Sequence, residues 1–312
     1  MTDRLSDIHA RIDGILQLRS VVGAMRGIAA ARAQQARAGL PAVDSFALTI
    51  ASAIGRVLAS RPDIGQDAAA SGRGGPRPAL ILFCAEQGFA GAFSEKVLDA
   101  AAADLSGSQV FLVGSRGWMI AQERGVSPAW RGAMPSRSNG VSRLADRITE
   151  ALFARIATGD VDTLEVLFTR WRPGGTGSIK RRRLFPLDLA RFRGTESRLP
   201  PICNLAPEPL LTELTSDYLF AQLCSVALHA FAAENEARME AMSATHSQIE
   251  HQLEGLRAQQ RLVRQDEITA EIIELAAGET ASRSAGRQAV KRRPASRALV
   301  APSRAMSGQS PT

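Results

Sequence analysis

Leu219, Leu223, Val226, Ala230, Ala233 and Ala237, resumed by Ile249, Leu253, Leu256, Gln260 and Val263, form a series whose steps are mostly three and four residues. A second series stands at the other end of the chain: Leu5, Ile8, Ile12, Ile15, Val22, Met25 and Ala29. Alternating steps of three and four keep one stripe facing a partner while two helices wind around each other. The two series predict long helices at the two ends of the chain that fold back and pair as an antiparallel coiled coil. Such a pair is a stalk, suited to spanning distance and transmitting position.

Between the stripes the period changes. Ala79 to Cys84 is a short run without a charged residue, which predicts a buried strand, and Gln109 to Gly114 predicts another. Val97 to Leu105 and residues 116–124 suit helices; Val141, Leu144, Ile148, Leu152 and Ile156 mark an amphipathic helix over 141–157; Leu164 to Thr169 predicts a third strand. Alternating strands and helices make this part a three-layer α/β domain with a mostly parallel sheet. Residues 170–215 are polar and turn-rich, with strand pieces expected near 184–190 and 202–205. The predicted organisation is therefore an N-terminal coiled-coil helix over 1–60, an α/β domain over 61–211 that opens on a Pro- and Gly-rich linker, a C-terminal coiled-coil helix over 212–278, and a disordered basic tail over 279–312. Pro41 is expected to kink or interrupt the first helix. Gly14, Gly23 and Gly27 weaken it by up to ~1 kcal/mol each relative to alanine, so tertiary support is needed.

The formal charge of +7 says little about nucleic acid, and no nucleic-acid partner is expected. From Glu279 onward the chain carries Arg283, Arg287, Lys291, Arg292, Arg293, Arg297 and Arg304 against one acid, which accounts for nearly all of the excess. Cys84, Cys203 and Cys224 are odd in number and widely spaced, so neither a disulfide framework nor a zinc site is expected. Asp3, Arg4 and Asp7 interrupt any signal-like run at the start, and no direct membrane span is expected.

Chemistry-bearing patterns are weak. Gly174-Gly-Thr-Gly-Ser-Ile-Lys180 has glycines like a phosphate loop, but Ile179 separates the lysine from Ser178, so a hairpin or loop is the reading. Gln87-Gly-Phe-Ala-Gly91 reads as a turn between strand and helix, and Lys180 to Arg183 as a solvated basic run. His246 and His251 are five residues apart and do not share a helix face as metal ligands would. No nucleophile and base set can be assembled. No catalytic residue, cofactor or metal is expected.

Four stretches carry a resemblance to the gamma subunit of F-type ATP synthases. Val22-Gly-Ala-Met-Arg-Gly-Ile-Ala-Ala-Ala-Arg32 resembles that family's Thr-Lys-Ala-Met-Lys-Met-Val-Ala-Ala-Ala-Lys. Ile81 to Phe93 resembles its strand and Ser-x-Asp-Arg-Gly-Leu-Cys-Gly turn. Glu234 to Met242 is similar to its Ser-Glu-His-x-x-Arg-Met-x-Ala-Met. Arg264, Gln265, Ile268, Thr269, Glu271, Glu274 and Gly278 are similar to its terminal Arg-Gln-x-x-Ile-Thr-x-Glu-Leu-x-Glu-Ile-x-x-Gly. The departures are Glu86-Gln87 for Asp-Arg, Ala90 for the turn cysteine, Gly23 for the first lysine, Arg261 for an asparagine, and a C-terminal extension. They leave open the housekeeping form and a divergent copy like that of the alternative, sodium-type ATPases.

The resemblance implies a non-catalytic central rotor shaft that couples ion flow through the membrane c-ring to ATP synthesis or hydrolysis in a hexamer of alpha and beta subunits. It implies contacts with the alpha, beta and epsilon subunits and the c-ring, and a peripheral place on the cytoplasmic face of a bacterial inner membrane. Met25, Arg26, Arg264, Gln265, Thr269 and Glu271 match positions that meet the beta subunit. The alternative is a coiled-coil adaptor or scaffold without a rotary role, which the same stripes would serve but which would not need the ordered motifs.

Overall fold

Ile8, Ile12, Val22, Ala29, Ala33, Ala36, Leu40, Ala47, Ile50, Ile54 and Leu58 are buried along a single helix, α1, which spans Leu5–Ser60. The computed structural model describes residues 5–60, 77–192 and 203–291. The further elements are β1 (Pro78–Phe83), α2 (Phe93–Ala101), β2 (Gln109–Val113), α3 (Ser115–Glu123), β3 (Trp130–Gly132), α4 (Val141–Ala157), β4 (Thr163–Arg172), β5 (Gly175–Phe185) and α5 (Pro207–Lys291). The chain divides into two units, Met1–Gly14 with Gln252–Thr312, and Ile15–His251.

Within the Ile15–His251 unit, α1 and α5 run antiparallel. Arg19 meets Glu250 at 3.3 Å, Arg37 meets Glu236 at 3.4 Å, and Ser225 Oγ donates to Asp44 Oδ1 at 3.0 Å, so partners descend α5 as they ascend α1. These polar contacts set register more than they stabilise, since exposed pairs contribute about 0–1 kcal/mol. The small residues Ala29, Ala33 and Ala36 line the buried seam of α1. In the other unit Ile8, Ile12, Leu253 and Leu256 are buried, and the His9 and Gln260 side chains meet. By length and composition alone, α1 is long and apolar enough to cross a membrane. A core helix passes the same test, and Leu40, Ala47, Ile50, Ile54 and Leu58 are spent on interior packing.

The sheet has the order β3-β2-β1-β4-β5. β1 is parallel to β2 and β4, β2 is parallel to β3, and β5 closes the edge antiparallel to β4. Helices cover both faces, as parallel strands require. Val97, Leu98 and Ala101 of α2 and Ile120 and Ala121 of α3 pack with Leu80, Leu82 and Leu112 on one side. Leu144, Ile148 and Leu152 of α4 and Leu219, Leu223, Leu228 and Phe231 of α5 pack with Ile81, Phe83, Phe111, Val166 and Phe168 on the other. Residues 223–235 of α5 are buried all round, with α1 on one side and the sheet on the other. A helix serving two neighbours in this way has little amphipathic contrast left.

The three expected strands and the helix over 141–157 are present, and the differences lie elsewhere. The interruption expected at Pro41 does not occur: α1 continues through it. Residues expected to be turn-rich form the β4–β5 hairpin, and of the strand pieces expected over 184–190 only Leu184 and Phe185 belong to one. Cys203–Leu205 lies outside any strand. Of the phosphate-loop look-alike, residues 175–180 are part of β5 and Gly174 lies in the turn before it. A Cβ at Gly177 would stand 2.6 Å from Thr169 Cγ2 and 3.5 Å from Ala233 Cβ, so this glycine serves close packing. α5 begins at Pro207 and runs through Gly278 to Lys291, because one solvated glycine costs only ~1 kcal/mol. The linker over 61–76 and the rest of the basic tail, 292–312, lie outside the described residues.

Candidate functional site

The turn that leaves β1, in the Ile15–His251 unit, is tied by side chains of α5 and by Glu86. Glu234 and Arg238 of α5, four residues apart on one face, are both nearly inaccessible. Arg238 Nη2 donates to Glu234 Oε1 at 2.5 Å and to the Gln87 carbonyl at 3.1 Å, its Nε donates to the Gly88 carbonyl at 3.1 Å, and its Nη1 donates to Asn235 Oδ1 at 3.1 Å. Glu234 Oε1 in turn accepts from the Glu86 and Gln87 amides at 3.1 and 3.2 Å. Burial pushes the Glu234 carboxyl upward, while Arg238 and the two amides pull it back. Each charged group is thus paired and hydrogen-bonded, as a buried ion pair requires.

Glu86 spreads the tie to the sheet. Its carboxylate accepts from the Ser115 amide at 3.0 Å, the Ser115 hydroxyl at 2.7 Å and the Met134 amide at 2.8 Å. Gly114, at φ +110°, sits so close to the carbonyls of Cys84 and Ala85 that a Cβ would collide with them. From α1, Arg32 Nη1 reaches Gln87 Oε1 at 3.4 Å. The turn ends in Phe89, at φ +62° and 66% exposed. Three of the four resemblance stretches therefore converge here: Arg32 from the first, Glu86 to Gly88 from the second, Glu234 and Arg238 from the third. The role of Glu234 and Arg238 was missed in the sequence, where a Glu and Arg four apart beside an apolar stripe is the signal that could have found it.

The structure does not gather the expected partner-contact residues into one cluster. Met25 is half-buried and Arg26 exposed on α1, in the Ile15–His251 unit. Arg264, Gln265, Thr269 and Glu271 are exposed on α5 in the other unit, and Thr269 Oγ1 donates back to the Gln265 carbonyl at 2.8 Å. Apolar surface accompanies both sets. Leu18, Val21 and Ile28 are about half exposed and, with Met25, form a stripe at steps of three and four. Along α5, Leu262, Ile268, Ile272, Ile273 and Leu275 are at least half exposed.

The thiols offer no reactive centre in the interior, since burial pushes Cys84 and Cys224 up to about 12. Among the described residues no group of three or more His, Cys, Asp or Glu side chains is arranged to hold a metal ion.

Residues 4–281 match the family model described as ATP synthase. Among curated proteins the chain is similar to the ATP synthase gamma chain of Frankia casuarinae, 27% identical with 90% of this chain and 98% of that one covered. The gamma chain of Pseudarthrobacter chlorophenolicus is 29% identical, with 86% and 95% covered. Among solved structures it is similar to a chain of the Euglena gracilis mitochondrial ATP synthase, in a structure of OSCP, F1 and c-ring, with a TM-score of 0.58, 10% identity, and 95% and 98% of the two chains covered.

Proposed function

Because the chain belongs to the ATP synthase family, we propose that it is the gamma subunit: the central-stalk rotor that couples ion flow through the membrane c-ring to ATP synthesis or hydrolysis. The observation that carries this reading is the surface of α5 beyond Gln260. Leu262, Ile268, Ile272, Ile273 and Leu275 stand half or more exposed, on different sides of one helix. An apolar surface of that extent calls for a partner. A helix that must turn against its surroundings is served by a sleeve that grips no single side chain.

On this reading the end of α5 sits in the bore of the alpha–beta hexamer. Arg264, Gln265, Thr269 and Glu271 meet beta-subunit loops there, and Met25 and Arg26 face a moving part of the beta subunit. The α/β domain faces the epsilon subunit and the c-ring. The chain is non-catalytic: it transmits rotation, and ATP is turned over by its partners. Its place is the cytoplasmic face of a bacterial inner membrane, held there through those partners. A coiled-coil adaptor is not favoured, since family membership covers the domain and both helices together.

Co-purification tests the proposal. The tagged chain should bring down alpha, beta and epsilon subunits, with one copy of itself per alpha–beta hexamer. Recovery as a free dimer, or with unrelated partners alone, would overturn it.

A further inference from the structure

A cleft of about 850 Å³ opens in the Ile15–His251 unit, away from the clamped turn. It lies between the Asp44–Ala51 stretch of α1, the β4–β5 hairpin with its exit, and α5. That size is within the range of small-molecule sites. Four arginines line it, Arg170, Arg182, Arg183 and Arg191, against two carboxylates, Asp44 and Asp188.

The arginines are unevenly compensated. Arg183 has Glu165 at 3.6 Å. Arg182 donates to the neutral Gln222 Oε1 at 2.7 Å and lies over the Phe168 ring at 5.5 Å. Among the described residues, the side chains of Arg170 and Arg191 have neither an ion pair nor a hydrogen bond. Asp44 is engaged by the Ser225 hydroxyl. Arg170 and Arg191 lie near enough to Arg182 that, after burial, their charges hold its proton affinity down. At the wall of the cleft His229 is 8% exposed, and its Nδ1 is buried without a hydrogen-bond partner.

Guanidinium groups in surplus fit a compact oxyanion. Arginine's planar fork matches phosphate oxygens, and an anion would relieve the mutual repulsion of Arg170, Arg182 and Arg191. We propose that this cleft binds a phosphate-class oxyanion, with Arg170, Arg182 and Arg191 as its charge partners. The source is free phosphate or the phosphate of a small ester. The site stands apart from the rotary reading and survives its failure.

The full chain is titrated with inorganic phosphate, pyrophosphate and ribose 5-phosphate, each against chloride at matched ionic strength, reading heat and thermal midpoint. Saturable binding that chloride does not reproduce is expected. A tighter response to the ester than to inorganic phosphate assigns an esterified ligand; the reverse assigns the free ion. R170Q and R191Q should each weaken binding about tenfold or more. Arg191 is exposed, so R191Q keeps the test alive if a substitution deeper in the cleft unfolds the domain. Phosphate acting no differently from chloride overturns the proposal, and so does undiminished binding by folded R191Q.

Discussion

At the scale of single residues the Glu234–Arg238 pair makes the sharpest demand. Removing one member of a buried pair strands the other charge and typically costs about 3–5 kcal/mol. Glu234→Gln leaves Arg238 facing two carbonyls with its charge unmatched, so the unfolding free energy from urea titration should fall by an amount in that range. Glu250→Gln, which touches the part-exposed Arg19 and His246, should cost below about 1 kcal/mol. Equal effects would mean that the clamp is no more than a surface contact. His229 makes a different demand. Burial first, then the charge of Arg170, lowers its pKa to about 4. The unfolded chain takes up a proton as pH falls through about 6.5, and the folded chain does so only near 4, so stability should drop across that window and be unaffected above it. In chloride buffer, His229→Gln should therefore reduce the loss of stability between pH 7 and 5. An unchanged loss would place the acid sensitivity elsewhere. The sequence shows a Glu and an Arg four apart, but whether they or His229 are buried depends on which elements cover them, and the turn that covers the pair is 147 to 151 positions away.

At the scale of elements, legibility followed periodicity. The stripe over 141–157 and the buried runs of β1, β2 and β4 are set by residues within one element, so a local pattern suffices. β3 was missed because three residues, Trp130 to Gly132, carry no period. β5 was missed because Lys180 to Arg183 resembles a solvated run. It is an edge strand, where charge is common, and Arg181 is anchored by Asp104 and Glu165. The antiparallel pairing of α1 and α5 was legible in kind but not in register, which depends on side-chain contacts such as Asp44 with Ser225. That contact supplies a test. In a background with Cys84, Cys203 and Cys224 replaced, Asp44→Cys with Ser225→Cys should form a disulfide within one molecule on mild oxidation, seen as a faster-migrating monomer under non-reducing electrophoresis. Products that are only dimeric would mean that the helices pair between molecules.

At the scale of the whole molecule, burial and exposure along α5 separate two jobs. Ile249, Leu253 and Leu256 are buried, whereas beyond Gln260 the helix exposes its apolar residues and the expected contact residues alike. A chain ending before Arg264 keeps the buried seam and should fold and assemble, yet it loses Arg264, Gln265, Thr269 and Glu271 together with Ile268, Ile272, Ile273 and Leu275. Coupling should suffer while stability does not. A chain ending after Thr280 keeps every one of those residues and removes Arg283, whose ion pair with Glu279 is largely exposed and worth about 0–1 kcal/mol, along with the remaining basic residues. It should pump nearly as well as the full chain. Both truncations are to be compared for ATP-driven ion uptake by membrane vesicles at matched levels of assembled complex. Strong loss only in the shorter chain would place the working surface between Arg264 and Leu275. If the chain ending after Thr280 also fails to pump, the basic extension is a working part of the rotor, and the exposed apolar residues are not sufficient for its grip.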